Sequence, residues 1–225
     1  MPCTKEFYKL SLQSAALAIG QRAKGRTFRP CVETLPTSMI AGAMNEYFPG
    51  KRIVGIGFFR KATYQKAYFT HAPLNRRTGT SVLPLTLEYL EPAPDKGYVE
   101  ADVYLPRTDG ADLVAGSLPL ELSIGALRYK GFGRIRLDIV GVVTASEKAS
   151  REHGWFPYRT GYFEGEIRET ELEDFGIEVI AARYGYLFEP DRDNSRTGRY
   201  RRAIFPGSLI KAPAFLVSQE YKYDA

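Results

Sequence analysis

The stretch 125–139 leaves the chain little conformational freedom. It reads Gly-Ala-Leu-Arg-Tyr-Lys-Gly-Phe-Gly-Arg-Ile-Arg-Leu-Asp-Ile. Its second half alternates: Ile135, Leu137 and Ile139 fall on one side of an extended chain, Arg134, Arg136 and Asp138 on the other. A period of two marks a half-buried strand. Gly131 and Gly133 permit a sharp turn just before it. A glycine-relaxed turn therefore delivers the chain into a strand whose outer face opens with two arginines. Arg128, Lys130, Arg134 and Arg136 put four cations in nine residues, with no acid among them.

Strand patterning recurs elsewhere. Residues 5–13 alternate, with Tyr8, Leu10 and Leu12 on one face and Lys9, Ser11 and Gln13 on the other. Further strands are expected over 52–60, 61–70, 81–90, 98–105 and 184–188, and an extended stretch over 203–211. With 21 glycines and 14 prolines in 225 residues, against an ordinary combined share of about 12%, the chain favours strands and loops over a helical bundle. One helix is clear. Met39, Ile40, Ala43, Met44 and Tyr47 recur at helical spacing, Thr37 or Ser38 offers a capping hydroxyl, and Pro49-Gly50 ends it. A second short helix is expected over 117–126, capped by Ser117. Residues 164–178 hold seven acids and one arginine and read as a solvated acidic face. Residues 191–202, with Arg192, Arg196, Arg199, Arg201 and Arg202, read as a mobile basic loop. A change of character near 142–160 divides the chain into units 1–142 and 143–225.

Several function classes drop out. At 44% hydrophobic and 25% charged residues, the chain has enough apolar surface to offset the entropy of ordering, so global disorder is excluded. No apolar run approaches the ~18 residues of a membrane helix, and residues 1–10 lack the pattern of a secretory signal. Cys3 and Cys31 alone make neither a disulfide scaffold nor a four-cysteine zinc site, and a reducing cytoplasm is the default. There is no P-loop, no HExxH, and no third glycine to complete a dinucleotide fingerprint. His71 and His153 are the two histidines, so no metal site and no cofactor is expected.

The charge balance points outward. Lys and Arg number 31 against 26 Asp and Glu, a net charge of +5 with a pI near 9.1, which suits a polyanionic partner. In the glycine-rich segment, backbone N–H groups at Gly131 and Gly133 can meet phosphate oxygens, the surrounding cations neutralise the same phosphates, and Tyr129 or Phe132 can stack on a base. Arg22, Lys24, Arg26 and Arg29 form a second acid-free basic run. Two other readings stay open. The turn can simply relieve strain before a strand with solvated charges, its basic loops meeting acidic protein partners. Alternatively, His71 or His153, assisted by Tyr129 or Lys130, can act as general base toward a ribose 2′-OH in a metal-independent ribonuclease.

Three segments in this order resemble the RAMP superfamily of CRISPR-associated proteins. Residues 36–43 (Pro-Thr-Ser-Met-Ile-Ala-Gly-Ala) are similar to the family's lead into its first helix. Residues 124–135 are similar to its basic glycine-rich loop, and 203–209 (Ala-Ile-Phe-Pro-Gly-Ser-Leu) to a C-terminal strand motif. The mid-chain position of the glycine loop resembles the subunit that caps the 5′ handle of CRISPR RNA in class 1 effectors. The resemblance implies an α+β chain: a ferredoxin-like (RRM-like) βαββαβ domain, an inserted thumb hairpin at about 61–104, and a smaller β-rich C-terminal half. It implies a non-catalytic, cytoplasmic RNA-binding subunit in antiviral defence, although some relatives process precursor RNA. Its partners would be CRISPR RNA and the backbone and large subunits of the complex. RNA contacts would come from Arg128, Tyr129, Lys130, Gly131, Phe132, Gly133, Arg134 and Arg136. Arg76 and Arg77 would act from the thumb, Arg22, Lys24 and Arg26 from the basic loop, and Thr37 and Ser38 from the helix start.

Overall fold

The computed structural model describes residues 4–20, 28–72, 77–80, 85–126, 128–147, 154–190 and 198–218. In chain order these form β1 (Thr4–Ser14), β2 (Phe28–Arg29), β3 (Thr34–Leu35), helix α1 (Thr37–Tyr47), β4 (Ile56–Phe59), β5 (Tyr64–His71), β6 (Leu85–Pro92), β7 (Val99–Pro106), helix α2 (Asp109–Gly116) and β8 (Leu120–Ser123). They continue with β9 (Arg134–Ser146), β10 (Trp155–Phe163), β11 (Ile167–Arg168), β12 (Glu178–Ala181), β13 (Tyr184–Pro190), β14 (Gly198–Ile204), β15 (Leu209–Pro213) and β16 (Val217–Ser218).

The main sheet contains the path β9-β1-β7-β4. With α1 between β1 and β4 and α2 between β7 and β9, this is the ferredoxin-like βαββαβ unit, its strands in the order fourth, first, third, second. The β5–β6 hairpin is inserted between the second and third of these strands, and β2 joins it to make a separate three-stranded sheet. The inserted hairpin is thus narrower than the 61–104 expected, because β7 pairs with β1 and β4 in the main sheet.

β1 explains how the two faces of this sheet are used. Tyr8, Leu10 and Leu12 point into a core with Leu137, Val103, Leu105 and the apolar side of α1. Phe7, on the opposite face, belongs to a second core with Tyr104, Val143, Ile56 and the C-terminal residues Phe163, Phe175 and Ile210. In the register, Phe7 lies opposite Val143 while Gln13 lies opposite Arg136. One end of this second face is therefore apolar and covered by the C-terminal half. The other end, at Gln13 and Arg136, is polar and open. The expected division at 142/143 falls within β9, and β10 extends the same sheet by pairing in parallel with β9.

Two expectations for the helices need correction. The second helix is not at 117–126 but at Asp109–Gly116, where the Thr108 hydroxyl accepts from the Ala111 N–H and Asp109 and Asp112 lie in the first turn. Residues 120–123 instead alternate, Leu120 and Leu122 inward, and pair with β9. α1 begins after Pro36 with no side-chain cap. Thr37 is fully buried, and its hydroxyl donates to Glu171 Oε2 at 2.5 Å. The same carboxylate accepts a 2.8 Å ion pair from Arg168, whose side chain is 5% exposed. Glu171 therefore leaves the expected solvated acidic face. This buried triad ties the first turn of α1 to the C-terminal half. Among the described residues no helix is long and apolar enough to cross a membrane.

Candidate nucleic-acid interface

The glycine loop connects β8 to β9 through a 3₁₀ turn at Arg128–Lys130. Its glycines do different work. Gly133 has φ +79°, and a Cβ there would stand 1.8 Å from the Ile124 carbonyl oxygen. Its N–H donates to Ala16 O, and its own carbonyl accepts from Ile124 N–H. Gly133 is thus a packing glycine that fastens the loop to the strand-end region. Gly131, at φ +88°, has open space where a side chain would be. Its N–H donates to Arg128 O at 3.1 Å. Both N–H groups expected to meet phosphate are thus engaged within the chain.

Those side chains point outward. Arg128, Lys130, Arg134 and Arg136 are all exposed. Tertiary structure adds two acids to the segment's own Asp138. Arg134 pairs with Glu121 of β8 at 3.2 Å, Arg128 with Glu46 of α1 at 3.5 Å, and Arg136 with Asp138 at 2.8 Å. The Asp138 partner raises the Arg136 pKa, and Arg136 holds the Asp138 carboxyl below the usual range. Solvent screens exposed pairs of this kind and leaves them weak, so a phosphate can displace the carboxylate at little cost.

Phe132 is half-buried and turns toward the inserted hairpin. Its ring meets Tyr89 of β6 edge-on at 5.0 Å and Phe69 of β5 at 6.0 Å. The Lys130 ammonium lies 4.6 Å over the Phe69 ring. In the hairpin register Ala67 lies opposite Tyr89 and Phe69 opposite Leu87, so Phe69 and Tyr89 share one face, and that face receives the glycine loop. Phe132, one of the two rings offered for stacking, packs against both hairpin aromatics. The contact joins residues far apart in the chain, Phe132 with Phe69 and Tyr89, which no local sequence signal carries.

The hairpin root is held by a polar cluster in which Glu88 and Cys31 are buried. Glu88 accepts from the Cys31 N–H at 2.9 Å, and Lys66 bridges Glu33 and Glu88. Burial pushes the Cys31 thiol up to about 11.

The other expected contacts scatter. Arg77 is exposed in the turn between β5 and β6. Thr37 is buried under Glu171 and cannot reach a ligand; Ser38 is half-buried at the start of α1. His71 ends β5, opposite Leu85, and Tyr129 lies within the 3₁₀ turn. Arg22, Lys24, Arg26, Arg76 and His153 lie outside the described residues, as do Arg192 and Arg196 of the expected basic loop. The remainder of that loop is not a loop: residues 198–204 are strand β14. Among the described residues no group of three His, Cys, Asp or Glu side chains stands where it would hold a metal ion.

No family model matches the sequence, and no curated protein matches it. Solved structures do. One is a chain of the type III-B Cmr-beta complex bound to cognate target RNA and AMPPnP, with 10% identity and a TM-score of 0.52 over 90% of this chain and 86% of that one. Another is a chain of type III-B Cmr-beta bound to cognate target RNA, with 11% identity, the same TM-score and the same coverage. At this identity the likeness is one of fold, and it extends along most of both chains.

Proposed function

We propose that this chain is an RNA-binding subunit of a CRISPR effector ribonucleoprotein and that it caps the 5′ handle of the guide. The observation that carries the reading is the contact of the glycine loop with the inserted hairpin. Phe132 wedges between Tyr89 and Phe69, so the cationic loop and the hairpin form one continuous surface. Arg134 and Arg136 open onto the uncovered end of the sheet face, and Arg128 and Lys130 flank the turn. Gly131 leaves room for a sugar-phosphate chain to approach the backbone. The fold shared with chains of RNA-bound type III-B complexes supports the same reading. In this assignment Arg77 acts from the hairpin turn, the partners are CRISPR RNA and the backbone and large subunits, and the setting is the cytoplasm.

The test is direct. Purified from its host, the protein should bring a short RNA of uniform 5′ end. Substituting Arg134→Gln together with Arg136→Gln should weaken handle RNA and lower the magnitude of the salt slope by up to about 2, at roughly 0.7–0.9 per phosphate. An unaltered affinity and slope would remove the loop from the interface. Incubation with repeat RNA in EDTA should leave the RNA intact; site-specific cleavage lost in His71→Ala would instead make the chain a metal-independent nuclease.

A further inference from the structure

Glu46 stands where its own helix does not favour it. It lies in the last turn of α1, which holds no basic residue, and a helix C-terminus repels negative charge. Its positive partner comes from the glycine loop: Arg128 lies 3.5 Å away. Glu121 of β8 is placed in a comparable way. In the β8–β9 register it lies opposite Arg136, and its carboxylate reaches Arg134 at 3.2 Å. It thus stands between the two arginines that open onto the uncovered end of the sheet. Asp138 first, and Glu121 after it, raise the Arg136 pKa. The Tyr47 hydroxyl donates to the Glu121 carbonyl at 2.6 Å, which ties the helix turn bearing Glu46 to the strand bearing Glu121.

Each of these carboxylates takes the position of a phosphate oxygen, because a guanidinium holds carboxylate and phosphate through the same N–H donors. Arg128, Lys130, Arg134 and Arg136 against Glu46, Glu121 and Asp138 leave one positive charge around the loop. A region so nearly neutral draws a polyanion only weakly from a distance. A phosphate that arrives must displace a carboxylate, and the side chains of Glu46 and Glu121 are open enough for that, at 58% and 64% exposed. Each displacement costs little. Afterwards, however, Glu46 is left without its cation at a helix C-terminus, and both acids are left beside the phosphates. These costs fall on any RNA strand that docks.

We propose that Glu46 and Glu121 set the loop's affinity for single-stranded RNA: they occupy Arg128 and Arg134 in the absence of ligand, so that RNA is held only where further contacts offset their displacement. The inference rests on the loop's being the RNA-binding surface. The test uses the full chain with labelled repeat RNA and labelled oligouridine of about 16 nucleotides, read by fluorescence anisotropy. Glu46→Gln with Glu121→Gln should tighten both RNAs about threefold or more, and should speed association more at low salt than at high. Glu178→Gln, on β12 and three strands from β9 in the main sheet, should change neither. The effect of Glu121 should pass through its arginines. Glu121→Gln should tighten RNA in the otherwise unaltered chain and have no effect in the Arg134→Gln/Arg136→Gln chain.

Unaltered affinity in the glutamine variants, with Arg134→Gln/Arg136→Gln still weakening RNA, overturns the proposal and leaves the loop as the RNA surface. Weaker binding in the glutamine variants also overturns it, because the acids would then hold the loop in its binding shape. Tightening that persists in the Arg134→Gln/Arg136→Gln chain overturns it too, because Glu121 would then act through the general field of the protein. Wild-type binding by Arg134→Gln/Arg136→Gln itself is the separate result that removes the loop from the interface, and the inference falls with it.

Discussion

The glycine loop and the β13–β14 hairpin draw on the same residue types but arrange them in opposite ways. Around the loop, Arg128, Arg134 and Arg136 each meet a carboxylate, two of them supplied by other elements, and Phe132 is turned into a contact with the inserted hairpin. On the β13–β14 face Tyr184, Tyr186 and Tyr200 stay in solvent, and Arg202 lies across one of them. The loop turns Phe132 inward and leaves its cations outward; the hairpin leaves its tyrosine rings outward.

The comparison breaks first if the two regions are uncoupled. Glu171→Ala strands Arg168, whose Nε and Nη2 already lack partners, in a buried site. It should cost about 3–5 kcal/mol in denaturant unfolding, whereas replacing Arg168 and Glu171 together with Met and Leu should recover most of it. Gly133→Ala comes next. Its overlap with the Ile124 carbonyl, added to positive φ, should cost more than about 2 kcal/mol, while Gly131→Ala, with open space around it, should cost about 1–2.

The root of the inserted hairpin can be tested by pH. The folded state favours the neutral Cys31 thiol, so that contribution is complete below about pH 9 and is lost as pH rises through about 11. Its size is roughly 2–3 kcal/mol. Stability measured across that window should fall less in Cys31→Ala than in the wild type. Phe132→Ala should cost about 1–3 kcal/mol and speed hydrogen exchange in β5 and β6 while leaving β13 and β14 protected. The smallest effect on stability belongs to Arg134→Gln with Arg136→Gln, whose exposed pairs leave the denaturant midpoint essentially unchanged. Its consequence should appear in RNA binding instead.

Local patterning carried much of this architecture. The alternation through Leu10, Leu12, Ile135 and Leu137 placed β1, β9 and their buried faces, and the spacing of Met39 to Tyr47 placed α1, because each signal arises within one element. Ile139, expected inward with Leu137, is exposed. The register shifts where Lys9 faces Gly141 and Leu10 faces Ile139, and a bulge inverts the alternation beyond it. The second helix was misplaced because Ser117 resembled a cap, while the working cap, Thr108, stood before a short run of small residues. At the site, the cations and Asp138 were visible in the sequence, but the carboxylates that meet Arg128 and Arg134 were not. Glu46 and Glu121 reach them only across α1 and β8.

What the sequence determined by itself is several of the strands, β1 and β9 among them, the first helix, the basic glycine turn and the excess of positive charge. These follow from short-range periodicity and composition. Tertiary structure decided the rest: that Gly133 closes the loop while Gly131 stays open, that Phe132 clasps a distant hairpin, that Thr37 is sealed beneath Glu171, and that three tyrosines share one face. Each of these depends on which strand lies beside which. Register sets the neighbours of a side chain, and it is chosen by the burial of the whole sheet rather than by any one segment.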